Sequence, residues 1–148
     1  MILTPEGLFV RRGGEERVRR RLEHLDPAEQ DAAIGRALDA ADGEVRQALR
    51  ARSPDDARID ALDEATTPEH ILVTATAIAW YRLFESVVEQ VPDDVTVQLR
   101  DARAYLQRIA SQQTDPGLTP RQTSDAVRPR ILISKPPSGR VFRAEDLA

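Results

Sequence analysis

The sequence contains no cysteine, which excludes a disulfide framework and any thiolate metal site and leaves the redox compartment unreadable. Aromatic residues are scarce, with one Trp, two Tyr and three Phe among 148 residues. No long hydrophobic run is present. The best candidate, Ile71 to Tyr81 within HILVTATAIAWYRLFESVVEQ, is interrupted by Thr74 and Thr76 and falls short of the ~20 apolar residues a membrane-crossing helix needs. The opening MIL leads into Thr4, Pro5 and Glu6, not into the long apolar stretch of a signal peptide, so a soluble chain made in the cytoplasm is expected. A phosphate-cradling loop is also missing, because Gly13-Gly14 lacks the lysine and the spacing. The two histidines, His24 and His70, stand outside any metal-ligand spacing. No nucleophile is paired with a base, so neither enzyme chemistry nor a cofactor is expected.

What is present is charge. The net −4 divides into +2 over residues 1–25, −8 over 26–110 and +2 over 111–148. An acidic centre with basic ends argues against a general nucleic-acid binder, which carries a concentrated basic face. The densest basic stretch, Arg11 to Arg21, is interleaved with Glu15, Glu16 and Glu23, and a solvated helix face is its plainer reading. Asp55-Asp56 and Asp93-Asp94 fall at expected helix edges, where they complement helix dipoles.

Three places join a capping side chain to proline and predict helix starts: Thr4-Pro5, Asp26-Pro27 and Thr67-Pro68. The first opens a short helix, PEGLFVRR, stopped by Gly13-Gly14; EERVRRRLEHL then offers Val18, Leu22 and Leu25 on one face. Ile34, Leu38, Ala41, Val45 and Leu49 recur at helical steps and predict a long helix over 27–52. Gly35 and Gly43 within it predict a close helix contact or a slight bend. DDARIDALDEATT reads as an acidic connector that holds at most one helical turn. In the next segment Ile71, Leu72, Ala75, Ile78, Ala79, Leu83 and Val87 form the stripe, with Trp80 and Phe84 beside it. That apolar surface is wider than a one-sided helix requires and predicts the central core helix, with Trp80 in the core rather than in a stacking platform. Val95, Leu99, Ala102, Leu106 and Ile109 predict a last helix over 94–112.

The expected fold is therefore all-α: a small bundle of three long helices plus short N-terminal helices over 1–112, followed by an extended C-terminal arm over 113–148. The arm is proline-rich, and its strand-like runs RILIS and RVF flank a Pro-Pro-Ser-Gly turn that makes a β-hairpin plausible. Ile131, Leu132, Ile133, Val141, Phe142 and Leu147 make it too apolar for a solubilising linker, and Arg128, Arg130, Arg140 and Arg143 surround them. Two readings stand: the arm folds back on its own bundle, or it pairs with a partner or a neighbouring subunit.

The order of DAAIGRALDAADGEVRQALRAR, ILVTATAIAWYRLFESV, DDVTVQLRDARAYLQRIASQQTDPGLTP and GRVFRAEDLA resembles the head-tail connector (adaptor, head-completion) proteins of tailed bacteriophages, especially their Mu-like branch. The residues that carry the likeness are Ala40, Asp42, Glu44, Val45 and Leu49, then Ile78 to Leu83, Leu99 to Ala110 and Arg140 to Leu147. Two departures stand out: a YLxxRYxxP ending is replaced by Leu49-Arg50-Ala51-Arg52-Ser53-Pro54, and the glycine of the IAxG pattern is replaced in Ser111-Gln112. The resemblance implies a structural virion protein in the head-tail neck, with no membrane association. It would form a ring of about twelve copies beneath the portal protein, built from heterologous contacts between neighbouring copies. A tail-proximal neck or tail terminator protein would follow, and genomic DNA would pass through the lumen. The ten arm residues from Arg128 to Leu147 named above would form the partner interface. The competing expectation is a small helical regulatory domain that binds nucleic acid through Arg11 to Arg21.

Overall fold

Side chains placed just before proline set where the first helices begin. In the computed structural model, which describes residues 1–86 and 91–118, Thr4 Oγ1 accepts a hydrogen bond from the Gly7 amide at 3.1 Å and starts α1 (Pro5–Arg11). Asp26 accepts from the Glu29 amide at 2.8 Å and starts α3 (Pro27–Arg52). Each supplies an acceptor to an amide that lacks an intrahelical partner. Between them lies α2 (Glu15–Arg20), reached through Gly13 and Gly14, whose φ values of 84° and 108° admit only glycine without strain. The remaining helices are α4 (Glu69–Glu85) and α5 (Asp93–Ala110). Among the described residues there is no strand, and no helix is long and apolar enough to cross a membrane.

The all-α expectation of three long and two short helices holds, and every described member of the three predicted stripes is buried; Val87 lies outside the described residues. The central position of α4 also holds. Eleven of its 17 residues are buried, where a helix resting on one neighbour would bury about half. Its two interior hydroxyls would be costly if unpaired. Thr74 and Thr76 instead donate to the carbonyls one turn back, at His70 and Leu72, each at 2.7 Å.

Polar contacts fix how the helices run. The Glu44 carboxylate of α3 receives Arg82 of α4 at 2.8 Å and Arg103 of α5 at 3.0 Å. Farther along, Arg52 at the end of α3 donates to the Thr114 carbonyl just past α5 at 2.7 Å, so α3 and α5 run the same way. Arg82 lies near the end of α4, whereas His70 at its start meets the chain beyond α5. The central helix is therefore antiparallel to both neighbours.

Four local expectations are corrected. Thr67 does not cap α4: it is buried and its hydroxyl donates to the Asp63 carbonyl at 2.5 Å, so Pro68 takes the cap position without a side-chain bond. The segment EERVRRRLEHL stops being helical at Arg20, because Gln30 Nε2 draws in the Leu22 and Leu25 carbonyls at 3.1 and 3.0 Å and holds a turn. Of the two readings of Gly35 and Gly43, the close contact is overturned, since a Cβ at either would meet open space. Asp55-Asp56 sits at no helix start; Asp56 belongs to the turns of the connector, where Arg58 pairs with it at 2.6 Å.

Those turns carry Ile59 and Leu62 into the core. They are held by Arg46, which donates to the Ile59 carbonyl and, at 3.0 Å, to the Leu62 carbonyl while paired with Asp42 at 2.7 Å. Asp42 also accepts from the Ile2 amide at 2.6 Å, which ties the N-terminal residues to the same point.

The last helix closes with two reciprocal bonds: Gln113 N–H donates to the Arg108 carbonyl and Gln112 N–H to the Ile109 carbonyl, both at 2.9 Å. This arrangement places the residue after the cap in the left-handed region, and Gln112 has φ 61°. It is the position at which the IAxG pattern carries glycine. Gln112→Gly should therefore raise unfolding stability by about 1 kcal/mol, read as a higher urea midpoint at unchanged m; a lower midpoint would refute this account of the helix end.

Burial opposes ionisation of Glu44, but the hydrogen bonds from Arg103 and Arg82 outweigh it and hold its carboxyl below the ordinary range. A group depressed in the folded state stabilises above its unfolded value and loses that contribution as pH falls through the folded one. Glu44→Gln should cost about 1–2 kcal/mol at neutral pH, and its stability should fall less steeply than that of the parent chain below about pH 4.3. Urea unfolding from pH 7 to pH 3 measures both, and identical acid limbs in the two proteins would remove Glu44 from this role.

Candidate functional site

Arginines dominate the chemistry of the surface, and several of those in the basic N-terminal stretch are engaged. Arg11 pairs with Glu69 of α4 through both terminal guanidinium nitrogens, Nη1 and Nη2. Arg19 pairs with Glu15 at 2.6 Å and Asp31 at 2.9 Å, and Arg20 with Glu16 at 2.7 Å. Arg12 lies 5.2 Å from the centre of the Trp80 ring and donates to Gln98 Oε1 at 3.1 Å and to the Thr76 carbonyl at 3.4 Å. Burial, with the nearby charge of Arg17, lowers its pKa. Arg11, Arg12 and Arg19 are thus folded against the bundle, Arg21 lies 5.6 Å from the Phe84 ring, and Arg17 and Arg20 stay on the solvated face. Trp80 is buried against Phe84, edge to face at 5.1 Å, as a core residue.

His24 is exposed beside Trp80 and Phe84. His70 fastens the chain that follows α5: its Nε2–H donates to the Pro116 carbonyl at 3.0 Å, and its ring meets Tyr105 edge-on at 5.8 Å. Pro116 is buried, and the Leu118 carbonyl accepts from Arg58 at 3.3 Å. Residues 113–118 accordingly lie against the bundle. Asp93 and Asp94 occupy the first turn of α5 and face solvent, as expected of dipole partners. Among the described residues no three His, Asp or Glu side chains converge as metal ligands.

One concave feature has no counterpart in the sequence pattern. A cleft of about 510 Å³ runs between α4 and α5 and is closed at one end by α1. Its lining includes small Ala77 and Ala102, Val73 and Tyr105, with the arginines 11 and 12 at the α1 end. Val73 is 56% exposed although α4 is otherwise largely enclosed. Arg11 Nε and Arg12 Nε are shut off from solvent without a hydrogen-bond partner. The threonine hydroxyls along the cleft are already committed to backbone carbonyls. Gln98 and Asp101 complete the lining and Arg11 is already paired with Glu69, so the cleft offers an apolar surface with mixed charge at its edges and no activated nucleophile. The one signal for it is the excess apolar width of α4, which a core helix explains equally well.

The ten residues expected to form a partner interface, Arg128, Arg130, Ile131, Leu132, Ile133, Arg140, Val141, Phe142, Arg143 and Leu147, lie outside the described residues, as does the expected hairpin. No curated protein and no solved structure matches the chain. The family model described as "Bacteriophage Mu, Gp36" matches residues 10–131, which takes in α2 to α5 and the segment beyond them. With most of its length covered, the chain belongs to the bacteriophage Mu Gp36 family and is a phage protein of the virion or its morphogenesis.

Proposed function

We propose that this protein is a non-enzymatic head-tail connector: a ring-forming adaptor that binds beneath the portal protein and joins the DNA-filled head to the tail. The observation that carries the reading is the family match over residues 10–131, joined to the order of the four segments quoted above. In this reading neighbouring copies meet through two different faces, as a closed ring requires. The arm beyond Leu118 reaches the portal or the next copy, a tail-proximal neck or terminator protein binds the opposite side, and DNA passes through the lumen.

The competing reading, nucleic-acid binding through Arg11 to Arg21, draws less support. Three of those arginines already hold carboxylates, and a fourth lies on Trp80. Phosphate binding would have to compete with those partners.

Light scattering on the purified protein, alone and mixed with portal from the same genome, tests the connector role. A ring or a portal-bound complex is expected for the full chain. Truncation before Arg128 is expected to keep the helical signal and cooperative melting while abolishing that association. A full-length monomer that ignores the portal, yet binds duplex DNA with a steep salt dependence, would replace the connector with the regulatory reading.

A further inference from the structure

We infer that residues 114–118 form a releasable strap, which opens from the end of the bundle without unfolding the helices and so gives the chain that follows two alternative roots. This inference stands whether or not the connector reading does. The strap is gripped through alternate carbonyls by three side chains from three different elements. Arg52 at the end of α3 donates to the Thr114 carbonyl at 2.7 Å, His70 at the start of α4 to that of Pro116 at 3.0 Å, and Arg58 in the turns between α3 and α4 to that of Leu118 at 3.3 Å. Pro116 is buried and Leu118 packs against the core.

Among the described residues the strap has no backbone-to-backbone bond to the bundle beyond Thr114. The last such bonds run from the Gln113 and Thr114 amides to the Arg108 carbonyl and belong to the end of α5. The Gly117 amide donates to Asp115 Oδ1 at 2.9 Å, a bond within the strap that survives its release. Opening also strands no buried donor. His70 is exposed, Arg52 is half-buried, and the Arg58 side chain is 39% exposed and keeps its bonds to Asp56, so water can replace the carbonyl that each of them loses. Arg46 is the contrast: its side chain is 15% exposed and holds Asp42 together with the Ile59 and Leu62 carbonyls, which it cannot leave without buried groups going unpaired.

Three side-chain hydrogen bonds and two apolar contacts hold the strap, while the ordering entropy of its residues opposes them, and the two sides are of similar size. The helices are held by an aliphatic core drawn from every element of the bundle. Opening of the strap is therefore a local event that needs far less free energy than unfolding. Gly117 belongs to the closed form in particular. Its φ is 65° and an added Cβ would stand 3.3 Å from the His70 ring, so another residue there would be strained when the strap is closed and relaxed when it is open. Release moves the root of the following chain from Leu118 back to the end of α5, a shift of up to ~17 Å. It also uncovers the apolar surface beneath Pro116 and Leu118.

The chain has no cysteine, so one introduced thiol reports on its own site. In full-length protein Leu118→Cys reads the strap, and Ala41→Cys, fully buried on α3, reads the bundle. With a water-soluble thiol reagent, Leu118→Cys is expected to react about a hundredfold faster than Ala41→Cys and about tenfold slower than in urea-unfolded protein. Low urea should leave the Leu118→Cys rate unchanged and raise that of Ala41→Cys, because only unfolding of the bundle exposes much surface. Adding Arg52→Ala, which removes one grip, or Gly117→Ala, which touches no helix, should each speed labelling of Leu118→Cys about fivefold. The Ala41→Cys rate and the helical signal should stay as they were. Hydrogen exchange of the α4 amides in Leu118→Cys protein supplies a second reference for the bundle. Labelling of Leu118→Cys at the rate of the bundle, rising with urea in parallel, would overturn the proposal by making the segment part of the same unit. So would a rate equal to that of unfolded protein and indifferent to Arg52→Ala and Gly117→Ala, which would show that the grip does not hold.

Discussion

The enclosure of α4 is the constraint on which the rest of this structure depends. A helix apolar around most of its girth cannot rest on one neighbour, and each large aliphatic side chain it buries is worth about 1.5–3 kcal/mol relative to exposure. Flanking α4 by α3 and α5, both antiparallel to it, covers two sides. The N-terminal helices and the connector cover much of the remainder, which explains why Ile2, Leu3, Leu8 and Ile59 are fully buried although they lie outside the long helices. These outlying segments are parts of the core, and the short, charged α1 and α2 have no other evident source of stability. Where coverage runs out, between α4 and α5, the cleft is left.

Because the core is almost purely aliphatic, electrostatics acts at its rim, and arginine is the instrument. A planar guanidinium with several donors can hold a carboxylate and carbonyl oxygens together, which a lysine ammonium does less well. Arg46 does so between Asp42 and the connector carbonyls. Arg58 joins Asp56 to the Leu118 carbonyl, and Arg52 reaches the Thr114 carbonyl. Each joins irregular chain to a helix or to other irregular chain that lacks a backbone ladder of its own. Single exposed ion pairs contribute about 0–1 kcal/mol, so the weight falls on the less exposed ones, Asp42 with Arg46 and Glu44 with Arg82.

The long helices are legible because their periodicity is sustained over several turns. α3 begins and ends at the residues its cap and Ser53-Pro54 predict, and the stripe of α5 is complete. Expectation and structure part where a distant side chain decides a local outcome. Gln30 ends α2 by binding carbonyls eight and five residues earlier, and Thr67 is drawn into a turn by Asp63. No pattern within either segment announces this. The cleft is illegible for a related reason: helical periodicity of apolar residues separates inside from outside, whereas the lining of a cleft is apolar and outside at once. The proposed interface residues rest on composition alone and fall beyond Leu118, so no contact of the bundle bears on them.

Charge connects the fold to the proposed role. In the sequence the basic N-terminal residues and the acidic centre look like two separate surfaces, but folding brings them together: Arg11 meets Glu69 and Arg19 meets Asp31. These pairs quiet the basic segment and leave the bundle net negative, with Asp39, Asp60, Asp93 and Asp94 among its exposed acids. Salt-dependent phosphate binding needs arginines free to release counterions, and Arg11, Arg12 and Arg19 are already engaged by the bundle. For a protein proposed to surround a moving duplex, weak repulsion is the useful property, because every phosphate contact would have to be broken for the DNA to advance. The charge balance that argues against a DNA-binding regulator is therefore compatible with the proposed connector.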